Sequence, residues 1–219
     1  MSINKFAVSV ALAGILGASS ALAETDGAFV GGQLGAGWIK LKLESKYDDG
    51  VSHIDKISES DNGFRYGFIV GYKRFFTPEF GVRYYGVIDF GGYDNITNET
   101  FNTLKITVNA LNLNANADAI YNFVTNDSLD FGIFGGLSLG YTSYYGDDGY
   151  GMSGFDLGIN FGVKAQIVQK HGIEIYSRFD LLEQKKDFIF RDYDGSYTET
   201  DTYKLQQPYA VGLRYTYSF

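Results

Sequence analysis

The only two imidazoles in this 219-residue chain, His53 and His171, mark where acid–base chemistry could sit. His53 lies beside Ser52 and Asp55, the residue types of a nucleophile, a base and an orienting carboxylate. Such a trio works only when its members come within hydrogen-bond reach, and no G-x-S-x-G or other nucleophile motif supports it. A solvated loop histidine is the better reading of His53, and His171, in the short turn "QKHG", offers still less. The absence of cysteine excludes disulfides, thiolate metal sites and a cysteine nucleophile. Acidic pieces recur at Asp48-Asp49-Gly50, Asp147-Asp148-Gly149 and Asp192-Tyr193-Asp194-Gly195. They could hold calcium or bridge phosphates through divalent cations, but none reproduces the twelve-residue calcium loop with its distant Glu. Asp-Gly is also a hairpin-turn signal, which accounts for these pieces better. The sequence therefore calls for no catalytic residue, no metal and no cofactor, and the expectation is that the chain is not an enzyme.

The remaining charges have a different organisation. Six cations (Arg65, Lys73, Arg83, Lys164, Arg178 and Arg214) and six anions (Asp89, Asp118, Asp130, Asp156, Glu174 and Asp180) fall on one parity of alternating segments. They share that parity with Gly, Ser and Asn. The opposite parity is oily: Phe64, Tyr66, Phe68, Val70 and Tyr72 in one segment, Val211, Leu213, Tyr215 and Tyr217 in the last. The stretch "ALNLNANADAIYNF" shows the rule most plainly, with Leu111, Leu113, Ala115, Ala117 and Ala119 against Asn112, Asn114, Asn116 and Asp118. Period-2 alternation of this kind is the mark of strands with one apolar face. Upstream, Leu104, Ile106 and Val108 sit on the wrong parity, which predicts a β-bulge or a change of environment near Asn109 to Leu111.

The elements that must position these charges are eight such segments and almost no helical pattern. Composition agrees: 18 Tyr, 18 Phe and 28 Gly against 2 Pro fit an all-β chain with tight turns or closely packed small residues. The connectors alternate between short ("FFTPE", "TNDS", "QKHG") and mostly longer, as in an up-and-down barrel with tight turns at one end. The formal charge of −8 and the lack of any basic cluster make nucleic acid a poor partner. Residues 1–23 read as a secretory signal peptide, with Lys5, the apolar "FAVSVALAGILG" and the Ala21-Leu22-Ala23 cleavage site. That leaves residues 24–219 as one mature barrel domain, delivered to an envelope.

Alternation alone does not say which face is oily. In a soluble sandwich the apolar faces would meet and the charges would point to water. In a membrane barrel the apolar parity faces lipid and the charges turn inward. Aromatic residues near both ends of the segments, the signal peptide and the Gly-rich inner set favour an eight-stranded antiparallel transmembrane β-barrel. Its interior would be narrow enough for side chains to fill. The twelve charges then read as a charge-paired structural plug, with a conduction path as the alternative.

The start "ETDGAFVGGQLGAG" and the end "YAVGLRYTYSF" carry a resemblance. The chain resembles small bacterial outer-membrane barrels, and more narrowly the outer membrane protein family of Helicobacter and Campylobacter relatives. The resemblance implies a surface-exposed barrel in the bacterial outer membrane, in contact with lipid and lipopolysaccharide, serving envelope integrity or surface interaction such as adhesion. A host or envelope ligand would be met through the extracellular loops. It also implies that Tyr215, Tyr217 and Phe219 form the terminal signal read by barrel-assembly machinery. A small porin or channel is the rival function, and an enzyme acting on lipid or peptide a second.

Overall fold

The computed structural model describes residues 26–48, 52–97, 105–146, 151–191 and 198–219. Residues 1–23, the three Asp-Gly turns and Leu104 fall wholly or partly outside them, as does the side chain of His53. Among the described residues nine antiparallel strands follow one another: β1 (Gly27–Asp48), β2 (Ser52–Phe75), β3 (Phe80–Thr97), β4 (Lys105–Thr125), β5 (Leu129–Gly146), β6 (Gly151–Ile167), β7 (His171–Asp180), β8 (Gln184–Arg191) and β9 (Thr198–Ser218). From β1 to β7 each pairs with the next, β7 and β8 both pair with β9, and β9 pairs with β1, so the sheet closes on itself. The family of up-and-down barrels is as expected; the count of eight is not. The seventh stave is broken at 181–183 into β7 and β8, and both pieces pair with β9, the lower piece along residues 210–217 and the upper along 198–205.

Outward positions are large and apolar along the lower parts of the strands. Phe68, Val70, Tyr84, Leu137, Leu139 and Leu213 are all more than half exposed. On the other parity, Arg65, Lys73, Arg83, Asp89, Asp118 and Arg214 are nearly fully buried. Exposed oil and buried charge is the inverse of a soluble sheet, and it is what lipid outside and a filled lumen inside require. β-Branched and aromatic residues suit the outward pleat, where they also pack sideways: Phe161 stacks on Phe179 at 5.5 Å, and Trp38 lies against Tyr209 at 4.9 Å.

The strands overshoot the membrane. About 9–11 tilted residues cross a bilayer, whereas β1 has 22, β2 24 and β9 21. The stretches "LESKYDDGVSHIDKISESDN" and "KKDFIFRDYDGSYTETDTYK" read as loops from sequence; most of each continues the sheet instead. Turns at the other end are short, spanning residues 76–79, 126–128 and 168–170. That end also carries Gly27 and Ser218. Long hairpins opposite short turns orient the tall end outward from the cell.

Closure is not uniform with height. The β2–β3 ladder ends at Phe64↔Gly92, leaving Ser52–Gly63 paired only to β1. The β6–β7 ladder ends at Gly158↔Asp180, above which β6 and β8 share no ladder. Below these points the barrel is a closed ring. Above them it divides into two four-stranded walls, β3–β6 and β8–β9–β1–β2, separated by two seams. A bulge accompanies the change: Trp38 pairs with Tyr209 but Lys40 with Gln206, one extra residue on β9 at the site of Pro208, which has no N–H to give a ladder.

The expected irregularity near Asn109 to Leu111 resolves as a change of environment. β4 keeps unbroken register with β5 from Val108 to Asn122, and with β3 from Val108 through Ile120. Val108 is buried with Ile39, Tyr93, Ala110, Tyr144 and Leu205 in an apolar layer inside the upper barrel. The parity never flips; the lumen itself turns oily at that height.

Candidate functional site: the charged lumen

Each of the twelve charges comes from a membrane-spanning strand, and strand register decides which meet. Arg83 on β3 lies opposite Asp118 on β4, and Glu174 on β7 lies opposite Arg214 on β9. Arg83 Nε donates to Asp118 Oδ2 at 2.9 Å, and its Nη1 donates across the lumen to Glu174 Oε1. Arg214 Nη1 donates to Glu174 Oε2 at 3.2 Å. The same guanidinium gives two bonds to Gln33 Oε1, at 3.1 and 2.9 Å. Gln33 Nε2 in turn donates to Asp89 Oδ2 at 2.7 Å, and Arg65 Nε to Asp89 Oδ1 at 2.8 Å. A continuous chain thus runs Arg65–Asp89–Gln33–Arg214–Glu174–Arg83–Asp118 and ties six strands together through the lumen.

A second group stands apart from it. Arg178 holds two carboxylates, Asp156 Oδ2 at 2.6 Å and Asp180 Oδ1 at 2.5 Å, and donates to the Ser138 hydroxyl. Lys73, Lys164 and Asp130 are buried nearer the short-turn end. Lys164 Nζ lies 5.6 Å from the Phe75 ring centre, and Asp130 faces Gln166 across the β5–β6 pair.

Aromatic rings complete the packing. Arg83 stacks between Tyr85 and Phe134, with its guanidinium carbon 5.0 and 4.3 Å from the ring centres. Arg214 sits between Tyr85 and Tyr176 at 5.2 and 4.7 Å. Tyr85 also donates its hydroxyl to Asp118 Oδ2 at 2.9 Å. A buried ion pair must offset the desolvation of both partners, which takes extra hydrogen bonds and ring faces of this kind. Gln33, Tyr85, Phe134, Ser138 and Tyr176 belong to the site although composition did not mark them. Their signal was available only as inward parity.

What space remains is small. One cavity of about 20 Å³ lies among Gln33, Arg65, Asp89, Arg178 and Arg214, and another of about 10 Å³ among Lys73, Arg83, Lys164 and Glu174. Each is at most the volume of a single water site. Toward the outside the apolar layer around Ile39 and Tyr93 caps the polar column.

The other sequence candidates lie elsewhere. His171 Nδ1 is 2.8 Å from the Tyr215 hydroxyl on the outer wall at the short-turn end. The backbone of His53 pairs with Tyr47 high in the β1–β2 hairpin. Tyr215 and Phe219 are exposed, Tyr217 and Phe219 touch edge to face at 5.4 Å, and Phe219 N donates to Ala28 O at 3.0 Å.

A closed sheet with an oily outside, a charged inside and tall hairpins at one end defines a bacterial outer-membrane β-barrel. The family model described as Helicobacter outer membrane protein matches residues 67–219, and the chain belongs to that family. Among solved structures, the outer membrane protein OprG from Pseudomonas aeruginosa shares the fold at 14% identity and a TM-score of 0.53, over 91% of this chain and 100% of that one. Neisserial surface protein A (NspA) is 17% identical with a TM-score of 0.37, over 88% of this chain and 99% of that one. Ail of Yersinia pestis is 13% identical with a TM-score of 0.31, over 88% and 100%. A search of curated proteins finds no match to this chain.

Proposed function

We propose that this chain is a non-conducting outer-membrane barrel whose working surface is its extracellular crown, serving surface interaction and envelope integrity. The observation that carries the reading is the filled lumen. Six strands are cross-linked by one arginine–carboxylate chain, the two lumen cavities among the described residues hold about one water each, and an apolar layer lies above them. A hydrated ion needs a continuous wet path, and the two lumen cavities among the described residues are far narrower than that. The barrel's length is then spent above the bilayer, on two walls that present polar strands to the medium. A host or envelope ligand is met there.

The same reading assigns no catalysis, with the His171 imidazole engaged by the Tyr215 hydroxyl on the outer wall. The exposed Tyr215, the Tyr217–Phe219 contact and the terminal Phe219 serve recognition by assembly machinery. Residues 1–23 are removed on export, leaving 24–219 as the barrel. The deciding experiment is planar-bilayer recording of the purified, folded chain. Silence is expected; stable, ion-selective steps would overturn the closed reading in favour of a small channel.

A further inference from the structure

The chain carries a formal charge of −8, yet one part of its outer wall is cationic. In three successive cross-strand positions β8, β9 and β1 present Lys185, Lys204 and Lys42: Lys185 lies directly opposite Lys204, and Lys204 directly opposite Lys42. All three sit on the outward parity. Like charges directly opposed on a sheet destabilise the pair, so a run of three needs anions to offset it. The chain supplies some. Glu44 reaches Lys204 at 3.2 Å, Asp187 reaches Lys185 at 3.1 Å, and Glu183 pairs with Lys42. Further outward lysines exceed them: Lys40 below the row, Lys46 above it and Lys56 on β2. Among the described side chains, six ammonium groups face three carboxylates on this wall.

Height identifies the anion. Trp38 and Tyr209 form an outward aromatic pair at 4.9 Å, continued by Phe179 at 5.0 Å from Tyr209. Aromatic belts of this kind lie at the level of lipid headgroups. The next outward positions on β1 after Trp38 are Lys40 and then Lys42, each about 7 Å further along the strand. Two serine hydroxyls flank them on β2, Ser60 opposite Lys40 and Ser58 opposite Lys42. The lysine row therefore starts where hydrocarbon ends and phosphate begins. Among the described side chains, the outward positions just above the belt on β3–β6, such as Gly92, Asn109, Ser143 and Ser153, offer no cation; Lys105 lies four residues beyond Asn109, at the tip of β4.

We infer that the outer face of β8–β9–β1–β2, centred on Lys42, Lys185 and Lys204, binds the phosphate groups of the phosphorylated glycolipid in the outer leaflet. The binding is electrostatic with hydroxyl support, and it fixes the barrel's rotation and depth by one wall only. The inference concerns the outer wall and is independent of whether the lumen conducts.

The test titrates the folded full-length barrel in detergent with lipid A, by native mass spectrometry of retained lipid. The arms are wild type, the Lys42→Gln/Lys185→Gln/Lys204→Gln triple variant, and Lys170→Gln at the short-turn end as control. Heat-modifiable migration reports folding of each. Retention by wild type and K170Q, at least tenfold weaker in the triple variant, is expected. Dephosphorylated lipid A should fall to the triple variant's level with wild type, and raised salt should weaken the phosphorylated form. Equal retention of phosphorylated and dephosphorylated lipid by wild type would overturn the inference. So would an unchanged affinity in the triple variant, or full displacement by inorganic phosphate at the same phosphate concentration. Should the triple variant not fold, K42Q and K204Q singly, each expected to weaken retention, take its place.

Discussion

Glu174 on β7 and Arg214 on β9 lie directly opposite each other in register and meet inside the barrel, Arg214 Nη1 to Glu174 Oε2, at 3.2 Å. Glu174 is also the carboxylate that Arg83 reaches from the far wall. One acid therefore closes two arginines, and removing it leaves both guanidinium groups short of charge in a dry site.

Glu174→Gln is expected to destabilise the barrel by about 3 kcal/mol, the lower end of the cost of orphaning a buried charge. Arg83 retains Asp118 and Arg214 retains Gln33, which keeps the loss from being larger. Equilibrium urea unfolding in lipid vesicles measures it. A change within 0.5 kcal/mol, on the order of an ordinary surface substitution, would show that the chain of ion pairs is not a stabilising unit.

Leu139 projects outward from β5 and is 60% exposed. Leu139→Arg places a guanidinium among hydrocarbon and should cost about 2–4 kcal/mol near the bilayer midplane. Were this face turned to water, the same substitution would be harmless. Unfolding free energy of the variant in vesicles separates these outcomes.

Deletion of Phe219 is expected to cut the folded, heat-modifiable form in the outer-membrane fraction several-fold in cells. Refolding of the same variant into detergent, where no machinery acts, should match wild type. Equal losses in both settings would assign Phe219 to barrel stability, through its bond to Ala28 O, rather than to recognition.

The Glu44 carboxyl stands above the bilayer and is held below its ordinary value, first by its hydrogen bond from Lys204, with the Lys204 and Lys56 charges adding to it and burial opposing. A carboxylate depressed in the folded state stabilises it above the unfolded value, and that contribution fades as pH falls through the folded one. Carbonyl ¹³C NMR of labelled Glu44 should therefore titrate below the normal glutamate range. In Lys204→Met the midpoint should move upward; no movement would remove Lys204 as the cause.

Strand parity was legible because every lower segment obeys a single rule: lipid on one side, a crowded lumen on the other. "ALNLNANADAIYNF" alone orients β4. The broken seventh stave was not legible, because Leu181 and Leu182 continue an apolar run across the break and nothing local ends the strand. The upper hairpins blurred for a different reason. Above Trp38 the outward positions become Lys40, Lys42, Glu44 and Lys46 while Ile39 and Leu41 turn inward, so the alternation continues with its apolar face reversed and no longer reads as a lipid-facing strand. The partners within the lumen were beyond one-dimensional reading altogether. Six cations and six anions on one parity allow many pairings; inter-strand register selects Arg83 with Asp118, and closure of the barrel brings Glu174 to it across the lumen.

The two seams give the crown a mechanical character the ring below lacks. No ladder ties β2 to β3 above Phe64, or β6 to β8 above Gly158, so neither wall constrains the other's register there. The walls are instead joined by side chains: Lys186 Nζ donates to Gly151 O at 3.1 Å across the β6–β8 seam, and Ile39 and Leu205 of one wall pack on Tyr93, Val108 and Tyr144 of the other. The architecture thus sets a foundation closed by backbone ladders on every side beneath two leaves that hold each other chiefly through side chains.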